Sequence, residues 1–252
     1  MTSTTSYGGN LISKPDLGHG LHTFANDAYV YQHLALANGE SSAITLPSCT
    51  LYVRSCTSGA TLTVNGQAVT EGDSVQLENT PATLAMQGGH ASILIAGVTH
   101  TAKDETSLTI TRAGQHYKVS KPWGHELWFN GEHPAYVLKE VFLKAGNRTS
   151  LQYHDFKRET NVVFTGTAGL VYKSNDAVGN MDVSLADLGT IALPAGSVMD
   201  IYPPTLHRVV AETDIYLYET STPHLDDVIR VHDDAGRGQG RIQSEHAASK
   251  VA

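Results

Sequence analysis

The sequence predicts an all-β protein built from two similar units, on three observations. Apolar and β-branched runs recur between turn residues at the roughly 8- to 12-residue spacing of sandwiches and barrels. Charged residues make up 17% of the 252, below the roughly 25% of typical soluble domains, and with 23 Gly this favours turns over surface helices. The cadence also runs twice, once before and once after Trp123.

Residues 1–40 read as an N-terminal arm. From about residue 41 the strands of a first barrel follow as SSAITL, TLYVRS, ATLTVNGQAV, DSVQLEN, ATLAMQ and ASILIAGV, ending near residue 110. Asn65-Gly66 lies between alternating runs and predicts a two-residue hairpin. Residues 101–120 are more polar and read as a connection with room for one strand. A second barrel over 111–237 carries YVLKEVFL, TNVVFTG, AGLVYKS, GTIALP, SVMDIYP, HRVVAE and IYLYET. The two read as weak copies, with CTSGATLTV aligned on FTGTAGLVY and Gly59 on Gly166. The Gly-rich, polar stretch 238–252 reads as a flexible tail.

An apolar fraction of 40% is enough for a sizeable core. The formal net charge of −8 argues against nucleic acid and against an anionic membrane surface, both of which select Lys and Arg. A small molecule or a protein remains as partner, with a homodimer possible. No apolar run of about 18 residues appears, and MTSTTSYGGN lacks the features of a secretory leader, so a cytoplasmic location is expected. Cys49 and Cys56 lack CxxC spacing and read as reduced thiols. Only Lys14, Arg54, Lys103 and Arg112 of the 17 basic residues precede residue 115, so an anionic ligand is expected in the second barrel.

The chemistry concentrates in Gly146–Gly166. Residues two apart on a strand point the same way, so Gln152 and His154 share a face, and Glu159 can return on the next strand. His207 follows Tyr202-Pro203-Pro204-Thr205-Leu206 and supplies a fourth donor. A Gln, His, Glu, His set is a mixed N/O site for one divalent ion such as zinc, manganese, iron or cobalt.

With Gly146, His154, Glu159 and Gly166 at the spacing G(x)5HxH(x)3,4E(x)6G, and Gln152 in place of the first His, the chain resembles the cupin superfamily. Lys121-Pro122-Trp123-Gly124, Arg158-Glu159, Gly166-Thr167-Ala168 and the run from Leu225 to Arg237 resemble the type II phosphomannose isomerase cupin domain and its stand-alone relatives, over roughly residues 119–237. The resemblance implies a bicupin of two double-stranded β-helix barrels, the N-terminal one degenerate. It also implies a metal-dependent aldose-ketose isomerase acting on a sugar phosphate. Two alternatives stay open: an Fe(II) dioxygenase and a non-catalytic carbohydrate-binding protein. Thr160-Asn161 stands where the isomerases carry His-Trp, which bears on substrate rather than on the metal.

Within that resemblance, Lys139 and Glu159 are the candidate catalytic groups, and Arg148, Arg158, Lys121 and Arg237 the candidate substrate-binding cations. Lys139 shares a face with Val137, Val141 and Leu143, so it is either a buried cation needing an anion such as Glu159 or a surface charge. Lys121-Gly124 can equally be a rigid turn whose Trp123 plugs the barrel. Arg237 and Asp226-Asp227 can equally tie the tail to the barrel. A constant offset of 107 maps Gln152, His154 and Glu159 onto Thr45, Pro47 and Tyr52, with His207 near Thr83, so the first barrel is expected to lack a metal site and to be structural.

Overall fold

A computed structural model describes residues 3–7, 10–14, 18–131, 133–173 and 188–242. In chain order the first strands are β1 (Ser3–Tyr7), β2 (Asn10–Lys14), β3 (Gly20–Ala25), β4 (Val30–Leu36), β5 (Ser41–Ile44), β6 (Ser48–Cys56), β7 (Thr61–Val64), β8 (Gln67–Val69), β9 (Ser74–Glu78), β10 (Ala82–Gln87), β11 (Ala91–Val98) and β12 (Ser107–Thr111). They are followed by β13 (Tyr117–Lys121), β14 (Gly124–Trp128), β15 (Val137–Leu143), β16 (Leu151–Tyr153), β17 (Glu159–Thr165), β18 (Thr167–Lys173), β19 (Gly189–Pro194), β20 (Val198–Ile201), β21 (Leu206–Ala211), β22 (Ile215–Ser221), β23 (Val228–His232) and β24 (Gly240–Ile242). The fold is all-β, as expected, and no helix among the described residues is long and apolar enough to cross a membrane.

The strands divide into two compact units. The first unit holds residues 18–117 and 128–138, with sheets ordered β12-β9-β6-β11-β4-β3 and β5-β10-β7-β8. The second holds β1, β2, residues 118–127 and the chain from Lys139 onward, with sheets ordered β1-β2-β20-β17-β22-β15-β14-β13 and β19-β18-β21-β16-β23-β24. These boundaries differ from the sequence expectation. Residues 20–36 are not an arm: β3 and β4 extend the six-stranded sheet of the first unit, and β2 pairs with β20 in the second. Interleaved polar residues in GLHTFA and VYQHLAL hide the alternation of these strands. Of the expected tail, β24 pairs with β23, and 243–252 lie outside the described residues.

Each unit buries one core between its two sheets. In the first, Leu51, Leu77, Ile93 and Ile95 face Leu62, Val64, Leu84 and Met86. In the second, Val163, Met199, Ile201 and Leu217 face Ala168, Leu170, Val209 and Ala211. Each large apolar side chain so buried contributes about 1.5–3 kcal/mol. The Asn65-Gly66 hairpin forms as expected: both residues have positive φ, 49° and 78°, and Val64 pairs with Gln67. At Gly166, φ is 85° and a Cβ would meet the Asp214 carbonyl oxygen at 2.4 Å, so only glycine fits the turn from β17 to β18.

Candidate metal centre

The second unit brings His154, Glu159 and His207 together, with one potential ligand atom from each within 4.8 Å of the others. His154 follows β16, Glu159 opens β17, and His207 lies on β21 opposite Gln152 of β16. All three are buried, at 1%, 4% and 4% exposure. His154 Nε2 lies 3.4 Å from Glu159 Oε2, and His207 Nε2 lies 3.1 Å from Glu159 Oε1. Each imidazole is anchored through its other nitrogen: His154 Nδ1 hydrogen-bonds the Asp227 carbonyl oxygen, and His207 Nδ1 hydrogen-bonds that of Thr205 at 3.0 Å. Carbonyl oxygens only accept, so both Nδ1 atoms carry a proton and both Nε2 atoms turn toward the carboxylate. His154 Nε2 is buried with no hydrogen-bond partner. Such an orphaned acceptor beside a carboxylate and a second imidazole fits a bound metal ion.

Glu159 is held by neighbours on its own strand and loop. Asn161, two residues along the same face, donates Nδ2 to Glu159 Oε1 at 3.0 Å. Lys157 donates Nζ to Glu159 Oε2 at 2.7 Å and to Glu219 Oε1 at 2.5 Å. Burial alone would raise the Glu159 carboxyl, but the Lys157 ammonium and the two histidines hold it well below the usual carboxylate range. Burial lowers His154. It also opposes the charge on His207, yet Glu159 and the Thr205 carbonyl outweigh it and raise that imidazole.

A cavity of about 70 Å³ opens beside this cluster, walled by Trp123, Gln152, Lys139, Lys157, Asn161 and Glu219 among others. Gln152 is therefore at the site, with Oε1 accepting from Ser150 Oγ at 2.8 Å and retaining a second lone pair. Lys139 points inward at 5% exposure, which settles the two readings of its strand. Its counterions are Glu219 Oε2 at 3.1 Å and Glu126 Oε1 at 3.7 Å, whereas Glu159 takes Lys157. Trp123 belongs to the core and lines the cavity at once.

The other expected cations separate. Arg237 lines the cavity but is bound to Asp233 Oδ2 through Nε at 3.0 Å and Nη2 at 2.6 Å. Arg148 is exposed on an adjoining groove of about 320 Å³, which shares Trp123 and Arg237 with the cavity. Lys121 is buried 3.6 Å from Glu126 and lines neither space. Arg158 also lines neither. It grips Asp200 through Nε at 3.0 Å and Nη2 at 2.5 Å and lies over the Tyr202 ring. The side chain next to Glu159 alternates to the opposite face of β17, so its neighbour Thr160 likewise meets Asp200. Lys157 and Glu219 were missed. Lys157 lies two residues before Glu159, which was a usable signal. Glu219 sits in the apolar run IYLYET, where a lone carboxylate demanded an internal partner.

Among the described residues, no second His, Cys, Asp or Glu cluster approaches metal-binding spacing. The constant offset nevertheless misplaced the first unit's counterparts, because the turn from β6 to β7 is longer than the one from β17 to β18. Thr45 and Thr83 are exposed, and Tyr52 stacks on Phe129 at 3.9 Å. Strand pairing supplies the correct ones: Ile44 faces Ala82 across β5 and β10 as Gln152 faces His207, and Cys49 is the first inward residue of β6 as Glu159 is of β17.

Residues 92–202 match the family described as mannose-6-phosphate isomerase C-terminal. This is less than half of the chain and stops short of His207. No curated protein sequence matches. Among solved structures, protein Ylba from E. coli superposes with a TM-score of 0.63 at 11% identity, covering 87% of this chain and 93% of that one. Oxalate decarboxylase of Bacillus subtilis, studied for its Mn(II) centres, superposes with a TM-score of 0.59 at 11% identity, covering 91% and 77%. The same enzyme at pH 4.6 gives 0.58 at 12% identity, with 87% and 73% covered. At such identities the likeness speaks for the fold. Strand order and these matches agree that the chain has a two-barrel cupin fold, within which residues 92–202 are similar to the mannose-6-phosphate isomerase C-terminal family.

Proposed function

We propose that this protein is a metal-dependent aldose-ketose isomerase acting on a small anionic carbohydrate, a sugar phosphate. The observation that carries the reading is one cavity lined both by Glu159 and His207 of the His154, Glu159, His207 cluster and by the Lys139–Glu219 pair. His154, Glu159 and His207 would hold one divalent ion, with Gln152 beside them, and the ion would polarise adjacent carbonyl and hydroxyl oxygens. The N/O donor set suits zinc, manganese, iron(II) or cobalt.

The remaining work falls to the protein. Isomerisation moves one hydrogen from C2 to C1 and one from O2 to O1, with no net oxidation and no co-reactant. Glu219 takes the proton from one carbon and returns it to its neighbour. Lys139, 3.1 Å from Glu219 Oε2, gives a proton to the carbonyl oxygen and regains one from the hydroxyl. Asn161 fixes Glu159, and Trp123 keeps one wall apolar. A cavity of about 70 Å³ accommodates the reacting carbons and not a whole sugar phosphate, since benzene alone occupies a cavity of about 150 Å³. In this reading the phosphate lies outward, in the groove beside Arg148.

The test is metal analysis of protein purified without added metal, followed by NMR of sugar phosphates in D2O with metal-loaded protein. One ion per chain, its loss in His207→Ala, and deuterium entering C1 or C2 are expected. Arg148→Ala should weaken the sugar phosphate about tenfold while leaving the parent sugar unchanged. Absence of exchange into every aldose and ketose phosphate, aerobically and anaerobically, overturns the reading.

A further inference from the structure

The loop from His154 to Lys157 carries a metal-site imidazole and the ammonium that holds Glu159, yet it is a short irregular segment between β16 and β17. One residue outside it meets it at every point. The Asp227 carbonyl oxygen hydrogen-bonds His154 Nδ1, and the same residue's Oδ2 accepts the amides of Phe156 at 2.6 Å and Lys157 at 2.9 Å. Asp227 is 5% exposed and immediately precedes β23. Its other oxygen, Oδ1, accepts from Arg241 Nη1 at 3.1 Å, and Arg241 Nη2 reaches across to Asp155 on the loop itself. Arg241 lies on β24, the outermost strand of its sheet, where it pairs with Ile229. Strand β23 pairs in turn with β16, with Ile229 opposite Tyr153 immediately before His154.

We propose that Asp227 and Arg241 are positioning residues for the metal centre: together with Asp155 they form a clasp by which β24 locks the His154–Lys157 loop and sets metal affinity. Asp227 acts at both ends of the loop. Its main chain fixes the tautomer and rotation of His154, and its carboxylate fixes the backbone from which Lys157 reaches Glu159. Arg241 holds that carboxylate in place and closes the ring of contacts through Asp155. The clasp explains why an otherwise marginal edge strand of three residues carries an arginine that bridges two carboxylates. The inference rests on the metal reading of His154, Glu159 and His207.

The experiment measures the affinity of the full chain for Mn(II) or Zn(II) by competition with a chromophoric chelator. The variants are Arg241→Ala, Arg241→Lys and Asp227→Asn, with thermal unfolding recorded on each. Asp214→Ala serves as the control, because it removes a comparable side-chain contact, to the Ala145 amide at 2.7 Å, elsewhere in the second unit. Asp227→Asn and Arg241→Ala should weaken the metal about 10- to 100-fold, the range of other partners of metal ligands. Arg241→Lys should recover part of this, and Asp214→Ala should lower the unfolding temperature without moving metal affinity. Unchanged affinity in Arg241→Ala and Asp227→Asn, or equal loss in Asp214→Ala, overturns the clasp and leaves the metal reading standing. Failure of the wild-type chain itself to bind either ion overturns both.

Discussion

The two units thread their strands through nearly the same ladder. The order β12-β9-β6-β11-β4-β3 of the first matches β2-β20-β17-β22-β15-β14 of the second, and β5-β10-β7-β8 matches β16-β21-β18-β19. What differs is the inward residue at one end of each barrel. The first unit places Ile44, Cys49 and Ala82 there, with Leu46 packed beside them, and joins them to its core. The second places Gln152, Glu159 and His207 there and leaves a cavity. Apolar filling closes a barrel and stabilises it, whereas polar filling leaves paired charges that need one another or a ligand. Even the thiol of Cys49 fits this division, since burial, aided by Glu78, pushes it up to about 12 and removes it as a ligand at neutral pH.

The largest effect that tests this contrast comes from Lys157→Met. It leaves the buried Glu159 without its ammonium partner and is expected to cost about 3–5 kcal/mol, measured by chemical denaturation. Adding Glu159→Leu should restore much of the loss, because Lys139 still holds Glu219. A cost near zero for the single change would show that the second barrel tolerates bare carboxylates and that its charges are not interdependent.

The converse substitution is Cys49→Glu, which writes the second unit's residue into the first. Among Leu51, Leu77 and Ile93 no cation waits for it, so the new carboxyl must take up a proton. At neutral pH that costs about 3–4 kcal/mol, and no metal should be gained, as calorimetry and metal analysis would show. A stable variant that binds a second ion would break the comparison.

A smaller effect separates the units by pH. Burial, with His22 nearby, pushes His33 of the first unit down to about 4, and its Nε2 is engaged with Ser92 Oγ at 2.8 Å. The unfolded chain titrates near 6.5, so between these values it binds more protons than the folded one. Stability of the first unit is therefore full above pH 6.5 and falls as pH drops toward 4, by up to about 3 kcal/mol. His33→Gln should flatten this slope in urea melts followed across that window. An unaltered slope would remove His33 as its source.

Much of this architecture was written locally. Period-two alternation marked most strands, Asn65-Gly66 marked its hairpin, and the spacing of His154 and Glu159 marked two members of the candidate metal cluster, because each signal depends on residues close in the chain. β3 and β4 escaped because polar residues interrupt their pattern, and their membership of a sheet depends on the partner strand β11.

The sequence alone therefore determined the fold class, the doubling and the three side chains that the fold gathers into the candidate metal cluster. Only the tertiary structure decided which charges meet. Lys139 went to Glu219 and Glu126, Lys157 to Glu159, Arg158 to Asp200, and Asp227 to the backbone behind His154. Strand parity says which face a side chain takes. Its partner is set by what the facing and neighbouring strands deliver to the same few ångströms, and in a barrel closed by contacts dozens of residues apart no local pattern carries that information.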